Sequence, residues 1–258
     1  MPFPNLPGKY DADPVATPDH NNEYRDERAD GDAVEPPEGV VVCYSRSLME
    51  YFVESYDGEL VEQYYGDLYV LNDTDGRVGV LGEFGIGAPT TAILMDELVA
   101  DGVETFLSIG YTGCLDRSVE MGEFVVCDSA VRDEGTSHHY VESAKYAHAT
   151  EAVVDATTDL LDERDEPYHV GPSWTTDALY RETDLEVETY AAEGVLTVEM
   201  EASAVFAVAD HRGVDAGAMF VVSDYLGTDD WEPKFHLTAE DMQHLGDTAV
   251  DVLARYVD

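Results

Sequence analysis

Positive charge is what this chain has least of. Lysine occurs three times, as Lys9, Lys145 and Lys234, and lysine plus arginine number 13 against 56 aspartates and glutamates, a formal net charge of −43. No basic stripe exists to neutralise phosphates, so nucleic acid is excluded as a partner. Cysteine is scarce as well. Cys43, Cys114 and Cys127 are odd in number and form no C-x-x-C, so reduced, buried thiols are expected rather than a disulfide framework. Nowhere do 18 apolar residues run together, and the opening MPFPNLPGKYDADP has no apolar h-region. Neither a membrane span nor a secretory leader is expected. The adjacent His138 and His139 lack partners at ligand spacing, so no metal site is expected.

What is present is a globular composition. Hydrophobic residues make up 44% and aromatics 10% of the 258 residues, enough for one substantial α/β core. Disorder is the ordinary outcome for so acidic a chain, but regular apolar segments oppose it. Self-repulsion at this charge destabilises a compact fold in dilute buffer, whereas at molar salt the screening length falls to about 3 Å. The balance predicts a salt-adapted cytoplasmic protein, haloarchaeal in character. Residues 1–38 carry seven of the eleven prolines, Pro2, Pro4, Pro7, Pro14, Pro18, Pro36 and Pro37, and read as an acidic arm. The domain is then 39–258.

Strands are expected at 40–44, 68–71, 77–84, 103–109, 123–127, 168–176 and 216–222, each a short apolar run bounded by turn signals. Helices are expected at 45–54, 89–99, 151–166 and 202–211, the last closed by a left-handed Gly213. A terminal helix opens on a capping-box pattern, Thr238-Ala239-Glu240-Asp241, and shows an apolar face of Met242, Leu245, Ala249, Val252, Leu253 and Tyr256. Glu199 and Glu201 sit among Val198, Met200 and Ala202, and a buried carboxylate must be paired or hydrogen-bonded. Spacing alone allows both acids to cap the helix that follows. Asp224 ends the 216–222 strand, at the strand mouth where α/β sheets place ligands.

Val198-Glu199-Met200-Glu201-Ala202-Ser203-Ala204 resembles the V-E-M-E-[AS]-[AS]-[AG] signature of the nucleoside phosphorylase-I family, which includes uridine phosphorylases and hexameric purine nucleoside phosphorylases. The likeness runs over roughly residues 40–255 with several motifs in order. GIGAPTTAI at 85–93 is similar to G-I-G-x-P-[ST]-x-x-I, FLSIGYTG at 106–113 to R-x-G-[TS]-x-G, and 131–140 to the V-R-x-[DE]-G-x-S-x-H-[FY] loop of uridine phosphorylases. The resemblance implies a three-layer α/β/α sandwich around a mixed, partly barrel-like sheet. It implies a homo-oligomer, hexamer or dimer, and a reaction in which phosphate displaces the base of a ribonucleoside to give ribose 1-phosphate. Phosphate is then a co-substrate, with no cofactor and no metal.

Carried over residue by residue, Met200 and Glu201 hold the ribose, Glu201 through its 2′- and 3′-hydroxyls, with Thr112 beside them. Arg46, Ser108, Gly110, Tyr111 and Thr112 form the phosphate site. Leu179, Tyr180, Arg181 and Glu199 border the base, and Glu201 and Asp224 are catalytic, Asp224 by protonating purine N7. The departures are equally specific. Val42-Cys43-Tyr44-Ser45-Arg46 keeps only the arginine of G-D-P-x-R, Ser108 stands where an arginine is usual, and Tyr111 replaces a small hydroxyl residue. Arg132 and Arg181 are the other candidate cations. Hydrolysis by water, or a binding protein that lost turnover, are the alternatives these departures leave open. The Ser223–Asp224 pair resembles purine-specific members and the 132–140 loop the uridine enzymes. Leaving-group protonation contributes about 10²–10⁴-fold, which puts purine nucleosides first and uridine second.

Overall fold

The computed structural model describes residues 6, 8–10, 12–26, 36–63, 65–227 and 234–257. β1 (Gly39–Cys43) sets the pattern. All five of its residues are buried, Val40 and Val42 against one layer of helices, Val41 and Cys43 against the other. Side chains alternate across a strand, so a strand covered on both faces is apolar throughout.

α1 (Pro18–Asp26) precedes β1. After it come α2 (Arg46–Ser55), β2 (Gly58–Gln63), β3 (Asp67–Leu71), β4 (Val78–Gly82), α3 (Ala88–Asp101), β5 (Thr105–Cys114), β6 (Phe124–Asp133) and β7 (Tyr146–His148). α4 (Glu151–Glu163), β8 (Tyr168–Thr176), α5 (Asp184–Ala192), β9 (Thr197–Glu199), α6 (Ala202–Arg212), β10 (Asp215–Tyr225) and α7 (Ala239–Tyr256) complete the order. One mixed sheet holds these strands. Its open half runs β2-β3-β4-β1-β5, and from β5 the ladder continues through β10, β6, β8 and β9 back to β5, closing a five-stranded ring. The architecture is the partly barrel-like α/β sandwich expected.

Phe52 of α2, Leu160 of α4 and Leu245 and Leu253 of α7 cover one face; Leu94 and Leu98 of α3 and Val205 and Phe206 of α6 cover the other. The five apolar residues Met242, Leu245, Ala249, Val252 and Leu253 of the expected α7 stripe are buried. Gly213 closes α6 at φ +72°, its N–H donating to the Ala209 carbonyl at 2.8 Å. A smaller cluster of Trp174, Val187, Val195 and Val198 seats α5 against the ring.

Several elements differ from expectation. α1 lies along α3 within the stretch read as an arm, its Asn21 amide donating to Glu97 at 2.6 Å. β2 escapes a pattern search because GELVEQ has no clean alternation; it forms by pairing with β3. The capping box expected at 238–241 is absent, because Thr238 (φ −110°, ψ 17°) lies outside the extended region a cap needs and its hydroxyl faces the Phe235 carbonyl. A capping box does form at Thr183 and Glu186, opening α5. β5 runs five residues past the expected end at 109, through the glycine-bearing GYTG. The three cysteines are free and buried; burial pushes the Cys43 thiol up to about 12 and Cys114 to about 11.

Candidate active site

β5 is the strand from which the site grows. On one side it pairs with β10 from Thr105 to Cys114. On the other it pairs with β1 as far as Ile109 and with β9 from Gly113 onward. Gly110, Tyr111 and Thr112 lie between, where the sheet forks. Thr105 and Leu115 turn their N–H groups to the β1/β9 side, and Glu104 and Cys114 turn their carbonyls to the β10 side. Alternation along the strand therefore aims the peptide groups of Tyr111 into the fork. A cavity of about 760 Å³ opens there, lined among others by Tyr44, Ser45 and Ile86 and by Leu179, Tyr180, Glu182, Thr183 and Asp184.

β9 delivers the paired acids. Glu199 is met by four donors: the Thr175 hydroxyl at 2.6 Å, the Ser173 hydroxyl at 3.2 Å, and the N–H groups of Glu201 and Ala202 at 2.7 Å each. Glu199 thus closes the amino end of α6, as its spacing allowed. Glu201 instead accepts from the Gly87 N–H at 2.6 Å and the Met200 N–H at 3.2 Å. Burial pushes both carboxyls up, and the neighbouring Glu199 charge helps raise Glu201 to about 8. Met200, Glu199 and Glu201 all line the cavity.

Asp224 reaches the cavity through a bulge. Val222 pairs with Thr112 and Asp224 with Gly113, leaving Ser223 as the extra residue in β10. A bulge re-aims the side chains beside it. Asp224 is buried, with the Ser223 hydroxyl 2.8 Å from its Oδ1. The same cavity is lined by Leu179, Tyr180, Glu182, Val187, Leu226 and Gly227. Glu182 is held up at about 7, first by partial burial and then by the carboxylates of Asp224 and Glu186. Phe235 packs edge-on against Tyr111 at 5.4 Å.

Of the residues singled out in the sequence, Gly110, Tyr111, Thr112, Leu179, Tyr180, Glu199, Met200, Glu201 and Asp224 line one cavity. Thr112 turns its hydroxyl to the Val198 carbonyl at 2.7 Å. Ser108 is buried off the cavity, its Oγ 3.0 Å from the Tyr44 hydroxyl. The Arg46 side chain is 77% exposed and paired with Glu83 at 2.8 Å, away from the cavity lining. Arg181 is exposed outside it. Arg132 is spent on its own loop, bonding the Ser137 hydroxyl at 2.9 Å and the Glu142 carbonyl at 2.7 Å. Among the described residues no lysine or arginine lines the cavity, whereas Glu182, Asp184, Glu199, Glu201 and Asp224 do. Tyr44, Glu182, Leu226 and Phe235 were not identified from sequence. A carboxylate beside the base-bordering residues 179–181 was the one available signal, for Glu182.

Among the described residues no helix is long and apolar enough to cross a membrane, and no group of three or more His, Cys, Asp or Glu is placed to hold a metal. Residues 40–258 match the profile of the phosphorylase superfamily, and the chain belongs to that family. Over 164 residues it is 40% identical to the guanosine phosphorylase of Halorubrum lacusprofundi, covering 62% of this chain and 67% of that one. Over 146 residues it is 32% identical to the uridine phosphorylase of Thermococcus kodakarensis, covering 52% and 53%. The matched stretch is therefore about half of the latter relative. The fold is shared with AMP nucleosidase from Bacteroides thetaiotaomicron VPI-5482, at a TM-score of 0.74 over 93% of this chain and 98% of that one, with 21% identity.

Proposed function

We propose that this protein cleaves the N-glycosidic bond of a ribonucleoside with phosphate, giving ribose 1-phosphate and free base. The observation that carries the reading is the convergence of Met200, Glu201 and Asp224 on one cavity beside the unpaired edge of β5. Glu201 in its ionised form accepts both ribose hydroxyls, and Met200 packs on the sugar. Phosphate attacks C1′, the C1′–N bond breaks with its electron pair passing to the base, and Asp224, which takes up a proton from water in the cavity, passes it to N7. The Tyr111 peptide group in the fork and the Ser45 hydroxyl are the neutral donors at the phosphate. A purine base is favoured by Asp224, because uracil has no N7 to protonate. The guanosine phosphorylase relative supports the same preference, and the uridine phosphorylases keep uridine second.

Hydrolysis is the second reading, and one observation favours it: five carboxylates and no cation line the cavity among the described residues. A phosphate dianion is repelled there, whereas water is not. Phosphorolysis then depends on the fork donors, or on a cation brought by a second copy of the chain. Base release from inosine, guanosine and uridine, measured in molar KCl with and without phosphate, separates the two. Phosphate-dependent release with ribose 1-phosphate supports the first reading; equal release without phosphate, with free ribose, replaces it by the second.

A further inference from the structure

Glu182 stands on the cavity wall beside other acids. It follows the 3₁₀ turn Leu179–Arg181 and precedes Thr183, whose N–H and hydroxyl are taken up by Glu186 at 3.0 and 2.6 Å. No donor among the described residues meets the Glu182 carboxyl. The charged groups that act on it are themselves acidic: Asp224 from β10 and Glu186 in the first turn of α5. Leu179, Val187 and Leu226 are apolar members of the same lining. A carboxylate so placed is costly to ionise unless a ligand brings donors to it.

The bases a nucleoside can present differ in what they bring. Guanine offers two adjacent donors, N1–H and the 2-amino group, in the plane of the ring. Hypoxanthine offers N1–H alone, and adenine an N1 acceptor that repels a carboxylate. Uracil offers N3–H flanked by two carbonyl oxygens. We propose that Glu182 selects the base, its carboxylate accepting from N1–H and the 2-amino group of guanine, so that a 2-amino-6-oxopurine ribonucleoside is the preferred substrate. This inference rests on the reading of the cavity as a nucleoside site and adds to it the edge of the base opposite N7. A site built around such donors rejects analogues lacking them, because its own acceptor is left unpaired. Partial burial, then the charges of Asp224 and Glu186, push Glu182 up to about 7. Two incoming donors favour its ionised form, so guanosine binding releases a proton around neutrality, and guanosine KM rises as pH falls below about 7.

The test compares wild type with Glu182→Gln in molar KCl on guanosine, inosine, adenosine and uridine, with far-UV circular dichroism to establish that both are folded. Glu182→Asp serves as the variant that keeps the charge. The expected result is a drop of about 10- to 100-fold in guanosine kcat/KM for Glu182→Gln, chiefly in KM, with a smaller drop for inosine and a relative gain for adenosine. Glu182→Asp recovers part of the guanosine preference. The pH dependence of guanosine KM below about 7 flattens in Glu182→Gln. An active wild type whose guanosine to inosine to adenosine ratios survive Glu182→Gln overturns the inference while leaving the proposed function standing. A wild type that cleaves no nucleoside overturns the proposed function instead. Titration calorimetry with guanosine and inosine then decides the role of Glu182 by itself: equal affinities for wild type and Glu182→Gln overturn it, and a selective loss for guanosine sustains it.

Discussion

Glu199 and Glu201 stand two positions apart and are met by four donors and two, and that difference sets what each substitution does. Glu201→Gln is expected to lower nucleoside turnover on the order of 100-fold or more while leaving the fold intact, since the amide cannot accept two hydroxyls. Glu199→Gln reads as the milder change from sequence. Its four donors now predict a stability loss of about 1–3 kcal/mol, because an amide cannot accept from all of them. Denaturant titration of the two variants, with steady-state kinetics of Glu201→Gln, checks both statements. The Glu201 carboxyl also carries a pH dependence. Its value of about 8 lies above that of an unfolded glutamate, so the folded chain holds a proton that the unfolded chain releases. That contribution to stability is complete below about pH 4.5 and is lost as pH rises towards 8. Wild type is expected to lose stability relative to Glu201→Gln across that window in molar KCl. Met200, Glu201 and Asp224 are legible in the sequence because a short local signature fixes them. Arg46 is not: the Ser45 hydroxyl caps α2 through the Leu48 N–H, and the first helical residue is thereby turned out to Glu83.

At the scale of the element, the bulge in β10 and the close approach of β9 to β5 both meet at Gly113. A Cβ there overlaps Leu226 and comes within 3.1 Å of Val198. Gly113→Ala is therefore expected to push apart the strands that carry Asp224 and Glu199. The cost is about 1–3 kcal/mol in stability, with a fall in kcat larger than the change in KM, read by thermal denaturation and steady-state kinetics. The apolar stripe of α7, the buried run of β1 and the limits of β8 were legible because periodicity alone decides them. The course of β5 was not. Two glycines in GYTG weaken any strand pattern, yet with β10 along one side and β9 rejoining on the other the chain stays extended. Glu182 escaped for a similar reason, since its position depends on how the 179–187 segment folds back over Asp224.

The molecule as a whole carries −43, with few ion pairs of consequence among the described residues. Arg255–Glu163 and Lys145–Glu193 are exposed on both sides, and such pairs contribute little. Raising KCl from 0.1 to 2 M shortens the screening length from about 10 Å to under 3 Å and is expected to raise Tm by on the order of 10 °C. Sucrose at equal osmolality is the control: an equal rise there assigns the effect to exclusion from the surface rather than to charge.

β5 belongs to the open half of the sheet and to the closed ring at once, and this joint membership bears on how the molecule comes apart. A chain of this length ordinarily divides into parts that melt separately. Here neither part has a complete ladder without the other, because β1, β9 and β10 all draw on the same ten residues. Unfolding is therefore expected as one cooperative event, with the slowest-exchanging amides of β1, β5 and β10 sharing a single opening free energy. Two separate sets of protected amides, one on each side of β5, would show that the shared strand does not couple the halves.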